Sequence, residues 1–157
     1  MEIERKFLLD GFPEDLSLIK EVHCTQGYIS IVPEVRIRSY ECGGTEDYKL
    51  TVKGEGSISR EEVETHIAKS CFDALARLID APLIEKNYKM YDLGDGMIFE
   101  ASLVDSGSET EFYYGEVEFE SEREALNFSP LKCMGKEVTY DDSYKMKNYW
   151  KRTRGVG

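Results

Sequence analysis

Charged and apolar side chains alternate residue by residue in short tracts along most of this chain, and a two-residue period sorts side chains onto opposite faces of a strand. Such tracts run over 2–9, 26–32, 34–41, 47–53, 60–67, 83–91, 96–104 and 112–120, many of them rich in Ile, Val, Thr, Tyr and Phe. Turn chemistry separates them at Pro33, Gly43–Gly44, Gly54–Gly56, Asp92 to Gly96 and Ser106 to Ser108. Consecutive strands without crossover helices pair antiparallel, and a sheet of about eight strands tends to curl or close and so remove its edges. The expected fold is mainly β (α+β): a closed eight-stranded antiparallel β-barrel, a tunnel, with a few flanking helices. The best helix is 71–80, where Phe72, Leu75, Leu78 and Ile79 recur at helical spacing before Pro82; shorter helices are expected over 14–22, 122–126 and 142–151. At 157 residues the chain is expected to form a single domain over 1–157.

The charged faces carry the functional signal. Glu2, Glu4 and Lys6 share one face, with Ile3, Phe7 and the exceptional Arg5 on the other. Arg36 and Arg38 oppose Val35 and Ile37; Lys49, Thr51 and Lys53 oppose Tyr48, Leu50 and Val52. Arg60, Glu62 and Glu64 share a face, and Glu116 and Glu118 oppose Val117 and Phe119. A sheet with its polar face in water also alternates. Here, however, the polar positions are ionised and their signs are grouped, acidic at the two ends of the series and basic in the middle.

Closure with the charged face inward would make the first and last strands neighbours and gather Glu2, Glu4, Glu116 and Glu118. Carboxylates a few ångströms apart repel by several kcal/mol at an effective dielectric near ~20, so such a cluster calls for a hard cation, Mg²⁺ or Mn²⁺. The facing Lys6, Arg36, Arg38 and Lys53 call for an anion, and guanidinium forks match phosphate oxygens. A polyphosphate bridged to metal satisfies both halves.

Composition narrows the partners. With 31 acidic and 20 basic side chains the formal charge is −11, which argues against a nucleic-acid polymer or an anionic membrane as partner. Cys24, Cys42, Cys71 and Cys133 have no paired spacing, so free thiols and a cytoplasmic location are expected. No apolar run reaches the length of a membrane span. His23 and His66 join no catalytic spacing and read as structural.

These residues resemble the CYTH family, the triphosphate tunnel metalloenzymes. Its Glu-x-Glu-x-Lys signature stands as Glu2-Ile3-Glu4-Arg5-Lys6, followed by Phe7-Leu8. Further matches follow in order: Gln26-Gly27-Tyr28-Ile29, Val35-Arg36-Ile37-Arg38, Leu50-Thr51-Val52-Lys53, Arg60-x-Glu62-x-Glu64, Glu116-Val117-Glu118 and Lys136-Glu137-Val138-Thr139. The resemblance implies that Lys6, Arg36, Arg38, Lys53, Arg60 and Lys86 hold the phosphates. Glu2, Glu4, Glu116 and Glu118 would ligate Mg²⁺ or Mn²⁺, with Glu2, Glu4, Lys6 and Glu118 the catalytic set. Glu62, Glu64, Glu100 and Asp141 would form a second acidic tier, Asp141 at the tunnel mouth.

The implied reaction is hydrolysis of a triphosphate small molecule, inorganic tripolyphosphate above all, to diphosphate and phosphate. Adenylate cyclisation, thiamine triphosphate hydrolysis and noncatalytic polyphosphate or nucleotide binding are the alternatives, and the oligomeric state is monomer or homodimer. Two departures from the family pattern stand out. Tyr88 occupies a position where many members carry Arg, with Lys89 a possible substitute, and Ser143-Tyr144-Lys145-Met146 replaces the usual Arg-Tyr-x-Asn.

Overall fold

The computed structural model describes residues 1–156. Nine strands are laid down as β1 (Glu2–Leu9), β2 (Ser17–Ser30), β3 (Glu34–Cys42), β4 (Thr45–Lys53), β5 (Ser59–Arg60), β6 (Glu62–His66), β7 (Ile84–Gly94), β8 (Met97–Val104) and β9 (Phe112–Glu118). Three helices accompany them, α1 (Lys69–Leu78), α2 (Glu122–Asn127) and α3 (Met146–Arg154), and a 3-10 turn (Asp142–Tyr144) precedes α3.

All pairings are antiparallel, in the order β5-β1-β9-β8-β7-β2-β3-β4-β6. The two end strands of this order are consecutive in sequence, so the chain itself joins the sheet's two edges through Glu61. Arg60 pairs with Glu2 on one edge and Glu62 with Lys53 on the other. The expected eight strands become nine because the tract 60–67 changes partners at that single residue. The barrel is therefore nearly closed.

The expected helix over 14–22 does not form. Ser17 to Val22 instead extend β2, which pairs with β7 from Ser17–Asp92 to Gln26–Ile84 around a bulge at Leu18/Lys20. Local helical spacing yields here to cross-strand pairing on a neighbour already in place. The bulge leaves Leu18 and Ile19 exposed, and the likewise exposed Lys20 borders the cavity.

With charge inside, the apolar faces of the strands point outward and must be covered. Ile3, Phe7, Leu9, Phe99, Val117 and Phe119 pack with Ala125 of α2, Phe128 and Met134. Arg5 belongs to this outer layer. Its guanidinium donates to both Glu137 oxygens at 2.8 and 2.7 Å and to the carbonyls of Ala125 and Phe128, so it ties α2 and the segment after it to β1. Phe72 of α1 covers Tyr48.

The layer beside β8 is tight. A Cβ on Gly115 would stand 2.2 Å from the fully buried Phe99 ring, so Gly115→Ala is expected to lose about 1–3 kcal/mol in urea melts through overpacking.

α3 plugs one end of the barrel. Met146, Tyr149 and Trp150 pack on Tyr28, Ile84, Val104 and Tyr114, and the left-handed Gly155 (φ 65°) ends the helix. Arg154 anchors it, donating to Asp105 at 2.7 Å and to the carbonyls of Pro82 and Leu83. Among the described residues no helix is long and apolar enough to cross a membrane.

Candidate functional site

The barrel encloses a cavity of ≈ 600 Å³, lined by the inward side chains of β1 to β9 and by the segment that leads into α3. Parity along each strand decides which residues line it, and register decides which of them meet. β1 lies against β9 with Glu4 opposite Glu118 and Lys6 opposite Glu116; β9 then sets Glu116 opposite Glu100 of β8. Glu2, Glu4, Glu100, Glu116 and Glu118 thus share one wall.

These carboxylates cannot all ionise so close together. Burial, with Glu116 and Glu2 nearby, pushes Glu4 well above the ordinary carboxylate range. Against its own burial, Glu116 is held at about 2 by the charge of Lys6 and by a hydrogen bond with Glu4. Burial also raises Glu118 and Glu100, with Glu116 adding to each. A second pair repeats the pattern. Burial and a hydrogen bond with Glu2 lift Glu62 to about 7, while Glu2, also buried, is held low by that bond and by Lys53 and Arg60.

The wall therefore carries acids whose proton affinities are driven apart by their neighbours. Among the described residues no three of them converge on one point as a ready ligand set. By chemistry the all-oxygen donors fit Mg²⁺ or Mn²⁺.

The facing wall is basic. Lys53 is the hub, donating to both Glu2 oxygens at 2.8 and 3.1 Å and standing 3.4 Å from Glu62. Arg60 lies 3.4 Å from both Glu2 and Glu34. Arg38 donates to Gln26 at 3.0 Å, and Lys49 pairs with Glu64 at 3.2 Å. Arg36 is only 6% exposed, and its Nε has no hydrogen-bond partner. A buried donor left unmade costs roughly 1–3 kcal/mol, which an anion in the cavity would recover.

Lys6 donates to the carbonyl of Tyr144 at 2.7 Å and lies 4.3 Å from the centre of the Tyr114 ring. Burial lowers its affinity for a proton, though Glu116 and Glu4 oppose that. Asp141 sits where the cavity meets the 3-10 turn, which it caps by accepting from Ser143 N at 3.0 Å.

Lys86, expected in the phosphate set, is not among the residues that line the cavity. It is 1% exposed, with Nζ donating at 2.6 Å to Oη of Tyr114, which does line the cavity. Burial, with Arg38 adding to it, lowers Lys86 to about 7. A lysine depressed in the folded state destabilises the fold where the unfolded chain binds the proton, so its contribution improves as pH rises from about 7 towards the unfolded value of 10.5. The stability difference between Lys86→Met and the parent is expected to shift by on the order of 2–3 kcal/mol in the parent's favour between pH 7 and 9.5, as read by urea melts. Lys89 does not supply the charge that an arginine would bring at the Tyr88 position. Its ammonium lies over the Phe12 ring, outside the cavity. His23 and His66 are likewise outside, paired with Glu85 and Asp47.

The cavity also holds residues that sequence reasoning did not select. Glu34 follows from parity with Arg36 and Arg38; Tyr28, Tyr40, Tyr88 and Tyr114 read equally well as packing. Ser57 and Lys145 come from irregular chain, where no period marks an inward face.

No family model matches the sequence. The chain is 38% identical over 149 residues to the inorganic triphosphatase of Nitrosomonas europaea, an alignment covering 93% of this chain and 94% of that protein. A crystal structure of an inorganic triphosphatase superposes with a TM-score of 0.63 at 33% identity, over 95% of this chain and 93% of that one. A Hippeastrum protein described as a putative adenylyl cyclase with a dominant triphosphatase activity shares the fold, with a TM-score of 0.56 at 16% identity over 80% and 82% of the two chains. At 38% identity over nearly its whole length, this chain belongs to the family of the inorganic triphosphatases.

Proposed function

We propose that this protein is a CYTH-type tunnel enzyme that hydrolyses inorganic tripolyphosphate to diphosphate and phosphate with Mg²⁺ or Mn²⁺. The observation that carries the reading is the cavity's polarity: a buried Arg36 donor without a partner shares one chamber with carboxylates set side by side across the β1–β9–β8 register. The first asks for an anion and the second for a cation. The family relationship supports the choice of triphosphate.

Arg36, Arg38, Lys53 and Arg60 would bind and orient the phosphate chain from the basic wall, spreading its charge as the terminal bridge breaks. Glu2, Glu4, Glu116 and Glu118 would hold the ion. A bound divalent ion supplies charge neutralisation and an activated water. Lys6 stands between the walls and would shift from the Tyr144 carbonyl to a phosphate oxygen.

The test is a phosphate-release screen of tripolyphosphate, ATP and thiamine triphosphate with each ion. Metal-dependent release, fastest from tripolyphosphate, is expected. No release from tripolyphosphate, or 3′,5′-cyclic AMP as the main product from ATP, would overturn the proposal.

A further inference from the structure

Among the described residues, the barrel wall has a seam beside β6, which pairs only with β4. On the far side, β1 is edged by residues 135–138, which exchange backbone bonds with Lys6 and Leu8. The chain across the seam is the loop 54–58, which carries Ser57 into the cavity, and then β5, only two residues long, which delivers Arg60. Two residues paired to Glu2 and Ile3 fix a strand weakly. The loop turns sharply at Gly56 (φ 148°), where a Cβ would stand 2.1 Å from the Ser59 carbonyl oxygen.

One side chain holds this loop from the opposite side. Lys145, at the entry to α3, donates to the Gly56 carbonyl at 2.8 Å and lies 3.1 Å from Asp142. Its side chain is 16% exposed and lines the cavity. The neighbouring Lys147 reaches the same loop only at 3.4 Å, through the exposed Glu55. Behind Lys145, α3 is fixed by the bonds of Arg154 to Asp105 and Leu83, so the lysine projects from a firm base.

We propose that Lys145 is a positioning residue for substrate binding: by clasping Gly56 it closes the seam, sets the loop 54–58 and so places Arg60 against the anion. This rests on the triphosphatase reading for its effect on turnover, and on geometry alone for its effect on the loop. Lys145 acts through the loop and takes no part in the reacting atoms.

The test uses the full chain with Lys145→Met, Lys145→Arg and Lys147→Met. Lys145→Met is expected to speed amide exchange over 55–60 about tenfold and to raise KM for tripolyphosphate by about tenfold, with kcat within about twofold. Lys145→Arg, which keeps a donor, is expected to restore both, and Lys147→Met to leave both unchanged. Unchanged exchange over 55–60 in Lys145→Met overturns the clasp whatever KM does; a fall in kcat at constant KM overturns the positioning role. If the parent protein releases no phosphate from tripolyphosphate, the proposed function fails, and exchange over 55–60 still decides the clasp.

Discussion

Glu4→Ala and Glu118→Ala are each expected to lower metal-dependent phosphate release from tripolyphosphate by on the order of 10³-fold or more, with the fold intact. The two residues face each other across the β1–β9 ladder and belong to one acidic wall. Burial raises both, Glu4 well above the ordinary carboxylate range, so either substitution removes a desolvated carboxyl. Unaltered far-UV circular dichroism and a thermal midpoint within a few degrees should accompany the lost turnover. Activity within tenfold of the parent would remove these carboxylates from the catalytic set.

Lys53→Met is expected to fail in two ways at once. Lys53 is 4% exposed and bonds both oxygens of Glu2, so its loss leaves that half-buried carboxylate Arg60, at 3.4 Å, as its one cationic partner. Breaking a buried pair from one side costs about 3–5 kcal/mol, and the loss of a charge on the phosphate wall should lower kcat/KM by on the order of 10³-fold. The two effects separate in a double variant. Lys53→Met with Glu2→Gln should recover most of the stability in denaturant melts and none of the activity. Parent-like stability in the single variant would show that Lys53 does not hold Glu2.

The sequence disclosed the barrel's inside because ionised residues recur at every second position. Closure of the sheet with its charged face inward makes the first and last strands neighbours, and so gathers Glu2, Glu4, Glu116 and Glu118. Period gives a side chain's face and not its depth. Lys86 has the right parity and still does not line the cavity, its ammonium bonding Tyr114. The division of 60–67 into β5 and β6 rests on one change of partner at Glu61, which leaves no compositional trace.

The segment 14–22 has a locally helical pattern, and its fate as part of β2 depends on β7, some seventy residues downstream. Lys145 was least legible of all. It sits in irregular chain, and its meaning comes from a carbonyl 89 positions away in sequence.

In the proposed enzyme one wall of the chamber holds metal and the other holds phosphate. A crystal structure of the protein with tripolyphosphate and Mn²⁺, the ions located by anomalous scattering, tests this placement. The predicted result is manganese within bonding distance of oxygens from Glu4, Glu116 or Glu118, and phosphate oxygens within hydrogen-bond reach of Arg36 Nε and Lys53 Nζ. Manganese outside the cavity, or a triphosphate that leaves Arg36 Nε without a partner, would contradict it.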